Sequence, residues 1–254
     1  METSAKVINL NAILDQGSLV GLIDPTTEVF EPLGYQEHAA EPLKRPEDIQ
    51  AFKDYYRSRQ EWRNLLLFIC GINFGLRVSD LLRLRWGDLI NEDLTWRDEI
   101  VILEKKTENT RKRKSNRHIG INDAVKAIGK EYLGYQSARG NEITFDTYLF
   151  RDECKFDENK PLHRNSVERL LKRAARDTGI GERVHVSTHT LRKSFAYWQI
   201  RNGVSINLLQ KILGHNSVTQ TLTYAGFTAE DIRDAYQNLN FDSGDKLPQR
   251  SEVV

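Results

Sequence analysis

The hydrophobic period of this chain changes once, in the middle, and that change limits the fold more than any other feature of the sequence. Before it and after it, apolar residues recur at helical spacing, as Leu65, Leu66, Phe68, Ile69 and Ile72 do between Gln60 and Asn73. In the middle, Ile100 and Ile102, then Ile119 and Ile121, alternate with other residues on either side of a basic stretch from Thr107 to Ser115. Period-two alternation flanking a polar connection describes two antiparallel strands. Trp86 to Ile90 is expected to add a third. The fold class is therefore α+β, mainly α: a helical domain with a small three-stranded antiparallel sheet.

Helix punctuation refines this. Pro46-Glu47-Asp48 opens a helix, with proline in the tolerated first turn and acids at the positive end of the dipole. Gly75 ends the Gln60–Asn73 helix, and Ser79 is positioned to cap a short helix through Leu84. Further helices are expected at about Asp123 to Ser137 and Ser166 to Thr178, with Gly179 as the stop. Beyond Thr188 the chain reads as nearly all helix: Thr188 to Arg201, Ile206 to Leu213, Ser217 to Tyr224 and Ala229 to Leu239. Trp198, Leu208, Leu209 and Ile212 fall on core positions of these. Gly140 to Pro161 is mostly loop around a short buried run, Tyr148-Leu149-Phe150. Residues 1–43 show neither period and contain Pro25, Pro32 and Pro42, the signature of a partly ordered or disordered arm. Residues 44–240 then form the main domain, and 241–254 a polar tail.

Composition excludes several classes. Hydrophobic residues make up 39% and charged residues 29%, as in an ordinary globular chain, and no apolar run approaches membrane-spanning length. No basic-then-apolar leader opens the sequence, and two unrelated cysteines, Cys70 and Cys154, fit a reducing cytoplasm better than a disulfide or zinc framework. The net charge of +1 conceals an asymmetry: residues 1–50 hold nine acids and three bases, leaving +7 on the rest. Arg97 to Arg117 has eight bases against four acids, including the uninterrupted Arg111-Lys112-Arg113-Lys114. Phosphate neutralisation depends on such local patches, so these four are candidate DNA-binding residues.

The chemistry concentrates near the C-terminus, in His189-Thr190-Leu191-Arg192-Lys193, Leu213-Gly214-His215 and Tyr224. His189 and Arg192 are three apart and share a face of a helix capped by Ser187 or Thr188. Gly214-His215-Asn216 reads as a turn, with Asn216 or Ser217 capping the helix that carries Tyr224. A tyrosine is a poor nucleophile at neutral pH unless cations or proton acceptors surround it. Arginine and histidine supply both, and the natural target of such a tyrosine is a phosphodiester. His185 and His189, four apart, also raise a metal site. No carboxylate or cysteine follows at ligand spacing, so none is assigned.

These three boxes resemble the C-terminal signature of the tyrosine recombinases, the phage integrase family: His-x-Leu-Arg-His/Lys, Leu-Gly-His, then Tyr. The family's upstream arginine box, Thr-Gly-x-Arg-x-x-Glu-Leu, is matched by Phe74-Gly75-Leu76-Arg77-Val78-Ser79-Asp80-Leu81, with Phe74 replacing Thr and Asp80 replacing Glu. Its hairpin lysine is matched at Lys105-Lys106-Thr107, where the family's position just before Thr or Gly selects Lys106 over Lys105. The resemblance implies that Arg77 and Arg192 clamp the scissile phosphate and that Tyr224 attacks it to give a 3′-phosphotyrosine and a free 5′-hydroxyl. It implies that His189 accepts the tyrosine proton or binds the phosphate, His215 holds a non-bridging oxygen, and Lys106 protonates the leaving oxygen. It further implies double-stranded DNA as partner on the nucleoid, no metal, ATP or other cofactor, and a homo-tetramer on synapsed DNA. In that tetramer Ala229 to Leu239 is the helix donated to a neighbour.

The family's N-terminal DNA clamp has no counterpart in the short, acidic, proline-broken residues 1–43, which implies weak holding of DNA, an accessory DNA-binding partner or a different architecture. The rival class is a non-catalytic DNA-binding regulator or accessory subunit derived from a recombinase. Retention of all six catalytic positions weighs against it. A helix-turn-helix regulator built on Ser205 to Tyr224 leaves Arg77 and the hairpin lysine unexplained.

Overall fold

The computed structural model describes residues 39–102, 117–153 and 158–228, with 231, 233, 236 and 237. Helix α1 (Pro46–Ser58) begins on its proline, as expected. Its Asp48 is buried and gripped by both Nη atoms of Arg183, so a carboxylate in the first turn also ties α1 to the distant 180s. Helix α2 (Trp62–Phe74) is the centre of the domain. Leu65 to Gly71 are all buried, the mark of a helix surrounded by protein on every side. It packs against α5 (Asp123–Ala138) and α7 (Thr188–Arg201). Phe52 of α1 stacks on Phe68 at 5.0 Å.

Two glycines of α2 set how closely α7 approaches. A Cβ on Gly71 would lie 2.5 Å from Leu191 Cδ1, so only glycine admits the helix at this separation. Gly75 caps α2 in the left-handed region at φ +57°, and a Cβ there would run into the Phe195 ring. Leu191 and Phe195 flank Arg192, so the same two positions fix where that arginine stands relative to Arg77. Gly75→Ala is expected to destabilise the fold by roughly 1–3 kcal/mol, from left-handed strain plus overpacking. The midpoint of urea unfolding measures it, and an unchanged midpoint would show that α7 does not depend on this contact.

After Gly75 the chain makes α3 (Val78–Leu81), shorter than expected. Ser79 does not cap it. Arg77, extended at φ −67° and ψ 146°, is the N-cap residue, and its carbonyl accepts from the amides of Asp80 and Leu81. Trp86 to Ile90 is not a strand. Trp86–Leu89 is the helical turn α4, because Asp88 reaches back to accept from the Arg85 amide at 2.7 Å and closes the turn. The sheet among the described residues therefore has two strands, not three: β1 (Glu99–Ile102) and β2 (Arg117–Gly120), antiparallel, with Ile100 opposite Ile119. The basic connection between them, including Lys105, Lys106 and Arg111 to Lys114, lies outside the described residues, as do residues 1–38, Cys154, most of 229–239 and the tail.

The remaining helices follow their caps. Asn122 Oδ1 caps α5 at the Val125 amide. Helix α6 (Arg164–Asp177) starts two residues before Ser166, on His163, whose Nδ1 accepts from the Asn165 amide. Ser187 is the cap of α7, in a reciprocal pair with Thr190. Ser205 caps α8 (Ile206–Leu213) and Ser217 caps α9 (Val218–Ala225), while Gly214 and Gly226 end them with positive φ. Tyr148-Leu149-Phe150 is indeed a short buried run: Leu149 and Phe150 are fully enclosed.

Two cores result. The larger gathers α1, α2, α5, α6 and one face of α7. The smaller, made of Phe195, Ala196, Leu209, Leu213 and Ala225, joins α7 to α8 and α9, with Tyr224 packed against it. Leu209 is core as expected, but Leu208 is 51% exposed, since the small α8–α9 core reaches one side of α8 only. The segment before α1 is strapped to α7: the Leu43 amide donates to Ser194 Oγ at 2.8 Å, and Trp198 Nε1 donates to the Leu43 carbonyl at 2.9 Å.

Candidate active site

Arg192 is the fixed point. It is 3% exposed, and its guanidinium bridges two helix ends, Nη1 donating to Gly75 O at 2.9 Å and Nη2 to Leu213 O at 2.6 Å. Both carbonyls sit at the negative ends of helices, α2 and α8, where a buried cation is favoured. One residue thereby orders the end of the α2 helix before Arg77 and the turn that carries His215.

Arg77, His189 and Arg192 line one cleft of about 140 Å³, bounded also by Leu76, Arg164 and Thr188. Arg77 reaches it from the N-cap of α3, and His189 from the first turn of α7, whose amide is held by Ser187 Oγ. Although the residue is exposed, the protein around the ring depresses the His189 pKa below the ordinary 6.5. The charges of Arg164, Lys193 and Arg192 act in the same direction, and Glu168 opposes them. The imidazole is neutral at neutral pH and able to accept a proton.

Tyr224 joins the group from α9. Its hydroxyl is within hydrogen-bonding reach of the Arg192 guanidinium. Burial raises the phenol pKa above 10, while the charges of Arg192 and Arg77 pull it back. The phenol is thus protonated at rest, and the arginines favour its anion without creating it. His215 lies edge-on to the Tyr224 ring, centroids 4.9 Å apart, and its Nδ1 is 3.2 Å from Thr221 Oγ1. Thr221, fully buried, also donates to Ser217 O, so it anchors the histidine to the cap of the tyrosine's own helix. Five of the six residues assigned from the sequence therefore converge from four places in the chain: Arg77 before α3, His189 and Arg192 on α7, His215 after α8, and Tyr224 on α9. The sixth, Lys106, lies outside the described residues.

The sequence model described as the phage integrase family matches residues 45–230. The probable integrase/recombinase YoeC of Bacillus subtilis is 34% identical over 200 residues, 79% of this chain and 97% of that protein. The chain belongs to the phage integrase family. Tyrosine recombinase XerA of Thermococcus kodakarensis is 30% identical over 219 residues, 85% of this chain and 68% of that one. Among solved structures, a XerA recombinase superposes with a TM-score of 0.59 at 21% identity, covering 79% of this chain and 66% of that chain, a likeness of fold. The integrase-family fold is thus mainly helical here with a small antiparallel sheet, and the enzyme class is that of the tyrosine-type site-specific recombinases.

Other features of this integrase-family site were not legible in the sequence. Arg164 lines the cleft because α6 begins earlier than its serine suggested. Thr188 lines it with its hydroxyl buried and without a hydrogen-bond partner among the described residues. Lys193 places Nζ 5.5 Å from the Tyr224 ring centroid, and burial lowers its pKa. Its position directly after Arg192 was the available signal. Among the described residues no group of three or more His, Cys, Asp or Glu is placed to hold a metal ion, and no helix is long and apolar enough to cross a membrane.

Proposed function

We propose that this protein is a site-specific DNA recombinase or integrase that cuts and rejoins DNA strands through a 3′-phosphotyrosyl intermediate, with Tyr224 as nucleophile. The observation that carries the proposal is the reach of the Tyr224 hydroxyl to Arg192, an arginine that lines a cleft with Arg77 and His189. In the forward step the Tyr224 oxygen bonds to the scissile phosphorus, the P–O5′ bond breaks, and the phenol proton passes to neutral His189. Arg77 and Arg192 hold the phosphoryl oxygens as charge builds on them, and His215 supports the same oxygens. Lys106 gives its proton to the departing 5′-oxygen, a role that rests on the family pattern. Attack by a second 5′-hydroxyl reverses these transfers and reseals the strand, so the ester conserves the bond energy and no ATP or metal is needed.

Around that centre, residues 44–240 are the catalytic domain, and Arg111, Lys112, Arg113 and Lys114 contact DNA phosphates. The active form is a tetramer on synapsed duplexes, linked through the segment from Ala229 to Leu239. An accessory DNA-binding partner helps to hold the duplex, and the protein works on the nucleoid. The test of the chemistry is trapping on a duplex nicked beside the scissile phosphate. A denaturation-resistant adduct at the 3′ side, formed equally well in EDTA, is expected, and dependence on a divalent cation would sink the mechanism.

The pH profile checks the proton acceptor. A His189 pKa below 6.5 means that the imidazole stays neutral as pH falls through 6.5 and takes up a proton only at lower pH. Cleavage at subsaturating DNA, which reports the DNA-free protein, is expected to persist through pH 6.5 and fall below it. An acid limb centred above 6.5 would remove His189 from this role.

A further inference from the structure

Of the basic residues on α6, Arg164 alone is uncommitted among the described residues. Arg169 donates to Ser166, Lys172 pairs with Glu168 at 2.8 Å, Arg173 with Glu61, and Arg176 with Asp177. Arg164 makes no such hydrogen bond or ion pair: Glu168, one turn on, feels its charge but is bonded by Lys172. An exposed arginine without an ion pair would be unremarked were it elsewhere. This one lines the cleft of Arg77 and Arg192, whose lining contains three guanidinium groups, one imidazole and no carboxylate. The same cleft is lined by Thr188, a residue 4% exposed whose hydroxyl has no acceptor or donor among the described residues. The cleft therefore offers more cationic and polar groups than one phosphodiester with two non-bridging oxygens can engage.

We propose that Arg164 is a third phosphate-binding guanidinium of this site, gripping a non-scissile backbone phosphate beside the scissile one and so setting the strand's register in the cleft. The inference rests on the cleft being the site of strand cleavage. Arg77 is rooted at the N-cap of α3 and Arg192 in the second turn of α7, whereas Arg164 enters from the first turn of α6, which suits a neighbouring phosphate along the same strand. A guanidinium fits this task because it donates two parallel hydrogen bonds to the two oxygens of a phosphodiester. Its charge also adds to the field that keeps His189 neutral.

The test compares Arg164→Ala and Arg164→Lys with the parent protein. On a short mixed-sequence duplex, Arg164→Ala is expected to weaken binding and to flatten the logarithmic salt dependence by about 0.9, the slope of one lost phosphate contact. Arg164→Lys should restore the slope. On a nicked duplex selected by covalent trapping, saturating DNA should return the alanine variant to within a few-fold of the parent cleavage rate. Single neutral methylphosphonates along the strand then locate the contact: at one non-scissile position the parent and variant should bind equally, while at the scissile position they should still differ. An unchanged salt slope overturns the proposal. So does a cleavage defect that saturating DNA does not relieve, which would mean that Arg164 acts through His189, and so does a difference that vanishes only at the scissile phosphate. Failure of the cleavage reading itself shows separately, as a covalent adduct that persists when Tyr224 is replaced by Phe.

Discussion

Tyr224→Phe is expected to abolish covalent attachment to DNA while leaving DNA affinity close to that of the parent. The substitution removes one oxygen and keeps the ring against Phe195, Ala225 and the rest of the small core. Arg192 keeps both carbonyl partners, Gly75 and Leu213, so the cleft retains its shape. Only the nucleophile is lost. A phenol whose pKa is raised by burial does not ionise appreciably at neutral pH, so the reaction depends on that one oxygen being deprotonated as it attacks. Nicked-duplex trapping read beside equilibrium binding measures both quantities. A covalent adduct in the variant would remove Tyr224 as the nucleophile. Loss of binding in parallel with loss of the adduct would make it a structural residue instead.

The two arginines are expected to share a catalytic defect and differ in stability. Arg77→Ala and Arg192→Ala should each lower the single-turnover cleavage rate by about a hundred- to a thousand-fold, the usual worth of one well-placed transition-state donor. Arg77 stands at a helix N-cap, half-exposed, and contributes through its backbone carbonyl to α3, which alanine retains. Its loss should therefore lower the unfolding midpoint less than the loss of Arg192 does. Arg192 is buried and supplies donors to two helix-terminal carbonyls 117 and 21 residues away in sequence. Its loss strands those acceptors and should also cost about 1–3 kcal/mol of stability. Equal stabilities for the two variants would contradict the role of Arg192 as the tie between α2 and α8. Full activity in either would contradict the phosphate clamp.

Much of the fold was readable because helix boundaries are decided within a few residues. Ser187, Ser205 and Ser217 cap the helices that carry the site, and Gly75, Gly214 and Gly226 end helices with the positive φ that their neighbours avoid. Thr188–Arg201 and Ile206–Leu213 were legible to the residue for that reason. The placement of the candidate site residues was legible because their boxes are local: His189 and Arg192 share one helix, and Gly214-His215 and Tyr224 frame one turn and its following helix.

Where a neighbour outside the local window decides the outcome, the sequence misled. Trp86–Leu89 has the apolar content of a strand. The Trp86 and Gly87 amides are accepted by Thr147 and Phe145, a loop some sixty residues on, and Asp88 closes the turn. Leu208 and Leu209 are alike in the chain, but a small core on one side of α8 buries only the second.

The sequence by itself determined most of the helices, the ends set by a serine cap or a terminal glycine, the pair of strands and the candidate site residues, since propensity, capping and motif spacing all act over a turn or two. The tertiary structure decided that the site exists as one place. Close approach at Gly71 and Gly75 lets α7 lie against α2, Arg192 joins Gly75 to Leu213, and an early start of α6 brings Arg164 to the wall of the cleft. Each of these depends on side-chain volume and hydrogen-bond direction between segments far apart in the chain, which no local pattern encodes.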